Sequence, residues 1–212
     1  MSEAAIIPSI LERIDTEGVD AVGEDALGAF QIVLDRLDTW VEAFRSSASE
    51  SSPLFWPRPT DDAGKQHIWF QNITVANALT HLWAFRVICL RNIDQLRASC
   101  SPCGSRQGAK TRRFDDETGQ LSVMICQSIQ YLMQDRMKLF GPVSVTLPLR
   151  TAYETFEDRA ENCMEELNWC KEIVKNIHNR GYVFISSFFP DSWVDSASAR
   201  DSQGRVGGMR RS

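Results

Sequence analysis

Residues Asn72–Ser99 read NITVANALTHLWAFRVICLRNIDQLRAS, and this stretch decides the fold. Val75, Leu79, Leu82, Cys89, Ile93 and Leu96 recur at spacings that trace one stripe of an α-helix. Ala76, Ala78, Trp83, Phe85, Val87, Ile88 and Leu90 then make the middle of the helix apolar nearly all round. Such a helix belongs at the centre of a bundle, because every face has to be covered. Arg91, Asp94 and Arg97 return its last turns to water.

Working outward, the flanking segments supply the cover. Phe30, Val33, Leu34, Leu37, Trp40, Val41 and Phe44 form one face of a helix over 24–46, with Asp35, Arg36, Asp38, Glu42 and Arg45 opposite. A helix over 116–138 carries Leu121, Met124, Ile125, Ile129 and Leu132 inward. Asp115 or Asp116 caps its start and Gly141-Pro142 ends it. A shorter helix over 147–158 has Pro148 in its first turn and Leu149, Ala152 and Phe156 inside. The last, over 159–180, aligns Cys163, Leu167, Cys170, Val174 and Ile177. Lys175 and Arg180 complement its C-terminal dipole, and Gly181 is its left-handed stop. Tyr182–Phe189 reads as a short extended segment or one more helical turn.

Residues 1–22 are weakly patterned, with Ile6, Ile7, Ile10, Leu11 and Ile14 suggesting a short amphipathic helix after Pro8. Residues 46–60 form a loop whose three prolines, 53, 57 and 59, exclude a helix interior. Phe55 and Trp56 lie between them and are expected to plug a groove on the helical body. No strand run supports a sheet. The expected fold is therefore all-α, an irregular helical bundle around a central long helix. A weakly ordered segment (1–22) precedes the helical domain (23–190), and a Ser-, Gly- and Arg-rich disordered tail (191–212) follows it.

Composition narrows the class of function. In 212 residues, 43% hydrophobic content gives one domain enough to bury, and excludes a disordered chain, a collagen or a cysteine-dense toxin. A net charge of −5 argues against a free-standing nucleic-acid binder. The start lacks the basic and apolar pattern of a secretory signal. The longest uncharged stretch, Ile68–Phe85, is too polar and too short for a membrane span, so no membrane partner is expected. An intracellular setting with six reduced cysteines follows as the expectation.

The chemistry-bearing residues are sparse. Cys100-Ser-Pro-Cys103 is the one metal or redox spacing, and zinc needs three or four converging ligands. Cys89 lies eleven residues earlier, roughly 16 Å along the helix, too far to share an ion. Cys100 and Cys103 remain weak metal candidates, and a small helical enzyme or metal/redox module built on that loop is the alternative to a non-catalytic chain. Asp61-Asp62 and Asp115-Asp116-Glu117 lack the helical repeat of a magnesium site and read as caps and solvated pairs. His67, His81 and His178 do not cluster in sequence; His81 falls on the buried helix. Arg106–Arg113 is a basic loop without aromatic platforms. No catalytic residue and no cofactor are expected. The interaction candidates are the aromatics Phe55, Trp56, Phe188, Phe189 and Trp193.

Five segments are familiar in their order and spacing: Leu54-Phe55-Trp56-Pro57, Ile125–Tyr131, Leu139-Phe140-Gly141-Pro142, Pro148–Glu154 and Trp169-Cys170. Over roughly 25–189 the chain resembles the C-terminal regulatory region of fungal-specific transcription factors. The resemblance implies an all-helical regulatory domain, a nuclear setting, and a role in transcriptional control through a protein partner, self-association or a small effector. One departure matters. The family's zinc binuclear cluster uses six cysteines in a short basic stretch, whereas here successive cysteines are 11, 3, 23, 37 and 7 residues apart. Direct DNA binding is therefore not carried over, and the chain looks like the regulatory part standing alone.

Overall fold

The computed structural model describes residues 2–47, 53–59, 66–100 and 117–190. Its helices are α1 (Ile7–Glu17), α2 (Val19–Ser47), α3 (Ile73–Cys100), α4 (Glu117–Leu132), α5 (Phe140–Glu157) and α6 (Met164–Asn179). Strands β1 (Phe55–Pro59) and β2 (Gln66–Phe70) lie between α2 and α3, and 3-10 turns occupy Ser2–Ile6, Asp135–Met137 and Val183–Phe188. The fold is all-α, with α3 at the centre of the bundle.

The Asn72 side chain caps α3 by accepting from the Val75 N–H at 3.0 Å. Around the helix, α2, α4, α5 and β2 each take a side. Phe30 and Leu37 of α2, Ile125 and Leu132 of α4, and Leu149 and Phe156 of α5 are all fully buried. Each such side chain contributes about 1.5–3 kcal/mol relative to exposure. By length and composition alone, Ile73–Ser99 would suffice to cross a membrane. The stretch Ile68–Phe85 understates that length, because the helix runs on past Arg86. At the other end of the chain, α1 docks on α2, with Ala4, Ile7 and Ile10 in the core.

Four boundaries correct the expectations. First, β1 and β2 form an antiparallel hairpin where no sheet was expected, pairing Phe55 with Phe70 and Pro59 with Gln66. The Gln71 N–H donates to Leu54 O, which makes that pair a hydrogen-bonded one. By alternation Phe55, Pro57 and Pro59 fall at non-hydrogen-bonded positions, where a proline forfeits no ladder bond. Second, α4 ends at Leu132 rather than near 138; a 3-10 turn follows, and Lys138 takes the left-handed region at φ 47°. Third, Gly141-Pro142 opens α5 instead of ending α4, and Pro148 lies inside that helix, buried. Pro142 is tolerated because the N–H groups of a first turn have no intrahelical partner. Fourth, α6 begins at Met164, not 159, with Glu165 and Glu166 complementing the dipole of its first turn.

Gly181 ends α6 region's chain reversal at φ 91°, the left-handed stop expected. The expected disordered tail (191–212), the Asp61-Asp62 pair, the Asp115-Asp116 cap and the Arg106–Arg113 loop lie outside the described residues.

Gly141 fixes how closely α5 follows α4. A Cβ built there would sit 1.9 Å from the backbone oxygen of Leu132. Because that atom is main chain, it cannot rotate aside. Gly141→Ala is expected to cost about 3 kcal/mol, lowering the Tm by ~6–12 °C in a calorimetric melt.

Candidate functional site

The aromatic hairpin divides its two candidates. Phe55 is half-buried, 5.8 Å edge-on from Trp83 and 6.2 Å from Phe70. It fills the groove between the hairpin and α3, as expected. Trp56, on the opposite side of the strand, is 41% exposed. Next to it the Arg58 guanidinium stands 4.4 Å over the Trp69 ring, which meets Tyr131 of α4 edge-on.

The Val183–Phe188 turn divides the next pair in the same way. Phe189 is buried against Tyr153 at 5.9 Å, whereas Phe188 is exposed. The hairpin packs on α3 and α4, and the turn packs on α5 and α6, so the structure gives the two aromatic sets different neighbours. Trp193 and Cys103 lie outside the described residues, and Cys100 is the last residue of α3.

The sequence reading missed an exposed apolar face on α5. Leu139, Phe140, Val143 and Leu147 are 40–59% exposed and share one side of the helix at three- and four-residue spacings. The following turn lies alongside them. Tyr182 Oη donates to Lys138 O at 3.4 Å, and Arg150 Nη1 donates to Phe188 O at 2.6 Å. Val183 and Phe188 thereby extend the same surface. The signal in the sequence was the 139, 143, 147 repeat, hidden by reading 139–146 as a helix end.

Two of the clefts among the described residues exceed 500 Å³. The larger, about 620 Å³, lies between the end of α3 and the α5–α6 connection. Its two arginines are engaged: Arg91 pairs with Glu154 at 3.1 Å and with Asp158 at 2.6 Å, and Arg159 donates to Thr118. The second, about 530 Å³, lies between β2, α4 and α6. Cys126, Ile129, Met133, Ile173 and Ile177 form its floor, Trp169 and His67 its walls, and Gln130, Asn176, Asn179 and Arg180 its rim. Helical spacing brings them together: 169, 173, 176 and 180 share one face of α6, and 126, 130 and 133 one face of α4. Arg180 is held in place by donating from Nη1 to Met133 O at 2.5 Å.

The strongly perturbed groups join elements of the bundle. Arg86 of α3 donates to Glu117 at the start of α4 (Nε to Oε1, 3.0 Å) and pairs with Asp38 of α2. Burial opposes its charge, and the two carboxylates more than restore it. Cys126 and Cys170 place their sulfurs 3.5 Å apart between α4 and α6. That thiol–thiol hydrogen bond, followed by burial, pushes the Cys126 pKa far up. Burial likewise pushes the Cys89 thiol up to about 12. Cys89, Cys126, Cys163 and Cys170 are all buried. Burial, then a hydrogen bond to Glu157, raises the Tyr153 phenol. Among the described residues no group of three or more His, Cys, Asp and Glu side chains could share a metal ion.

His81 carries a measurable consequence. Burial lowers its pKa, partly countered by the Nδ1 hydrogen bond to Asn77 O at 2.9 Å. As pH falls below about 6.5, the unfolded chain takes up the proton first. Stability therefore declines with falling pH until the folded-state pKa is passed. The Tm–pH slope between about pH 5 and 7 is expected to be shallower in His81→Gln than in the wild type, read by thermal melts at constant ionic strength.

No protein family, curated protein or solved structure matches the chain.

Proposed function

We propose that this chain is a non-catalytic regulatory or interaction domain of transcriptional control, working in the nucleus through contact with a protein partner or a second copy of itself. The domain is of the kind that the resemblance to fungal-specific transcription factors implies. The exposed face of α5 carries the reading: Leu139, Phe140, Val143 and Leu147, extended by Val183 and Phe188. Single exposed apolar residues are ordinary, but a run of them on adjoining elements marks a contact surface. Two further observations support it. Arg86 and Arg91 of α3 are spent on joining helices, since each serves two carboxylates. The buried Cys89 and Cys126 thiols are held protonated, which suits core packing rather than nucleophilic attack. Direct DNA contact is no part of the proposal, and neither is a cofactor.

The test fuses the chain to an unrelated DNA-binding domain at a reporter gene. The fusion is expected to change reporter output severalfold, and Val143→Asp with Leu147→Asp is expected to abolish the change. Both positions are exposed, so folding stability should change by no more than about 0.5 kcal/mol per site. Light scattering on the same pair of proteins separates self-association from contact with another protein. Output equal to that of the DNA-binding domain alone, with the fusion present in the nucleus, overturns the proposal.

A further inference from the structure

We infer that the cleft between β2, α4 and α6 is a binding site for a small monocarboxylate with an apolar body. This goes beyond the protein-contact proposal and does not rest on it, because the cleft and the α5 face use different residues.

The cleft has the size and the division of chemistry that a small amphipathic molecule needs. Its volume, about 530 Å³, falls within the usual range for ligand pockets. The floor is apolar: Ile129 and Ile177 are buried, Ile173 is half-buried, and Cys126 at the base is an uncharged thiol. Trp169 offers an indole wall. The polar groups gather at the C-terminal turn of α6, where Asn176, Asn179 and Arg180 meet Gln130 across the rim. Apolar below and hydrogen-bonding at one end is the pattern of a site that orients its ligand.

Charge selects the polar end of that ligand. No Asp or Glu is among the described residues that line the cleft. Arg180 forms no ion pair among the described residues; its Nη1 is held by the Met133 carbonyl. That bond uses one of five N–H donors and leaves the others to meet a carboxylate in fork geometry. The amides of Gln130, Asn176 and Asn179 add neutral donors.

The opposing influences are the Glu166 carboxylate, which acts on Cys126 from outside the lining, and the negative end of two helices, since α4 and α6 both finish here. Several of those carbonyls are already engaged. Met133 O accepts from Arg180, and Tyr131 O accepts from Gln134 Nε2 at 2.8 Å. Asn176 O and His178 O accept from the backbone N–H groups of Arg180 and Gly181. The guanidinium keeps a whole charge, while the capped helix ends present only part of their fractional one. An anion is favoured over a cation.

Calorimetric titration of the full chain with octanoate and with 3-phenylpropanoate tests the inference, against octanamide and 3-phenylpropanamide as neutral matches. Both acids are expected to bind, and both amides at least ~10-fold more weakly. Arg180→Gln should remove that preference. Because Arg180 also bridges α6 to α4, Asn176→Asp serves as a second variant on an exposed rim position. It places a like charge beside the carboxylate and should weaken the acids by ~10-fold while leaving the amides unchanged. Acids and amides binding alike, acids unaffected by Asn176→Asp, or no heat up to about 10 mM probe overturns the inference. Loss of reporter activity in the fusion assay leaves these titrations untouched, so the two proposals fail separately.

Discussion

Val87 and Cys89 are two residues apart on α3, which puts them about 200° apart around its axis, yet neither retains any exposed surface. Covering opposite sides of one helix is the constraint on which the bundle depends. It obliges α2, α4 and α5 to take separate sides, and it leaves little of the middle of α3 for charge. Arg86 and Arg91 are the exceptions, with side chains only 17–18% exposed. Each is matched by carboxylates from the neighbours: Asp38 and Glu117 for Arg86, Glu154 and Asp158 for Arg91. Stripping either arginine of its partners would strand a half-buried charge, which costs far more than an exposed ion pair contributes. The two arginines therefore favour one register of α3 against α2, α4 and α5 where apolar packing alone would tolerate sliding.

The surfaces of interest follow from how α5 joins α4. The absence of a side chain at Gly141 lets α5 start against the Leu132 carbonyl. The early start adds nearly two turns to the helix before Pro148. Those turns bury Gly141, Pro142, Ser144 and Val145 on one side and turn Leu139, Phe140, Val143 and Leu147 outward on the other. An interior proline removes one backbone donor from the helix, a cost of roughly 3 kcal/mol. Burial of Pro148 and its neighbours Leu149 and Ala152 against the core offsets it.

How much of this was legible in the sequence depended on whether a residue's role was local. The stripes of α2 and α3 set their own period, so both helices could be read directly, although α2 starts at Val19, five residues before the start read from the sequence. The hairpin could not be read, because prolines weigh against a strand unless the pairing parity is known, and parity is a property of two segments. Pro148 misled for a related reason: proline is common in a first turn, and only the contact between Gly141 and Leu132 reveals that the first turn lies earlier. Among the interaction candidates, composition could not separate Phe55 and Phe189, which pack inward, from Trp56 and Phe188, which face out. The cleft was invisible because three elements distant in sequence build it. Arg180 was read as a cation complementing its own helix, which is true of its position, but its guanidinium reaches across to α4.

That reach makes the end of α6 the meeting point of the two surfaces. Arg180 lines the β2–α4–α6 cleft and also a smaller one beside Asp135, Lys138 and Tyr182. Two residues on, Tyr182 donates to the Lys138 carbonyl just before α5, and the chain then carries Val183 and Phe188 along the exposed apolar face. Gly181, at φ 91°, permits the reversal between them, a conformation that costs an L-residue with a side chain but not glycine. Behind this corner the Cys126–Cys170 pair ties the same two helices by packing rather than by charge. The Cys126 thiol keeps its proton at neutral pH, so the cleft floor remains apolar while the formal charge of Arg180 stays at the rim. Separation of an uncharged base from a cationic edge is what lets a single cleft discriminate by the end group of a molecule as well as by its bulk.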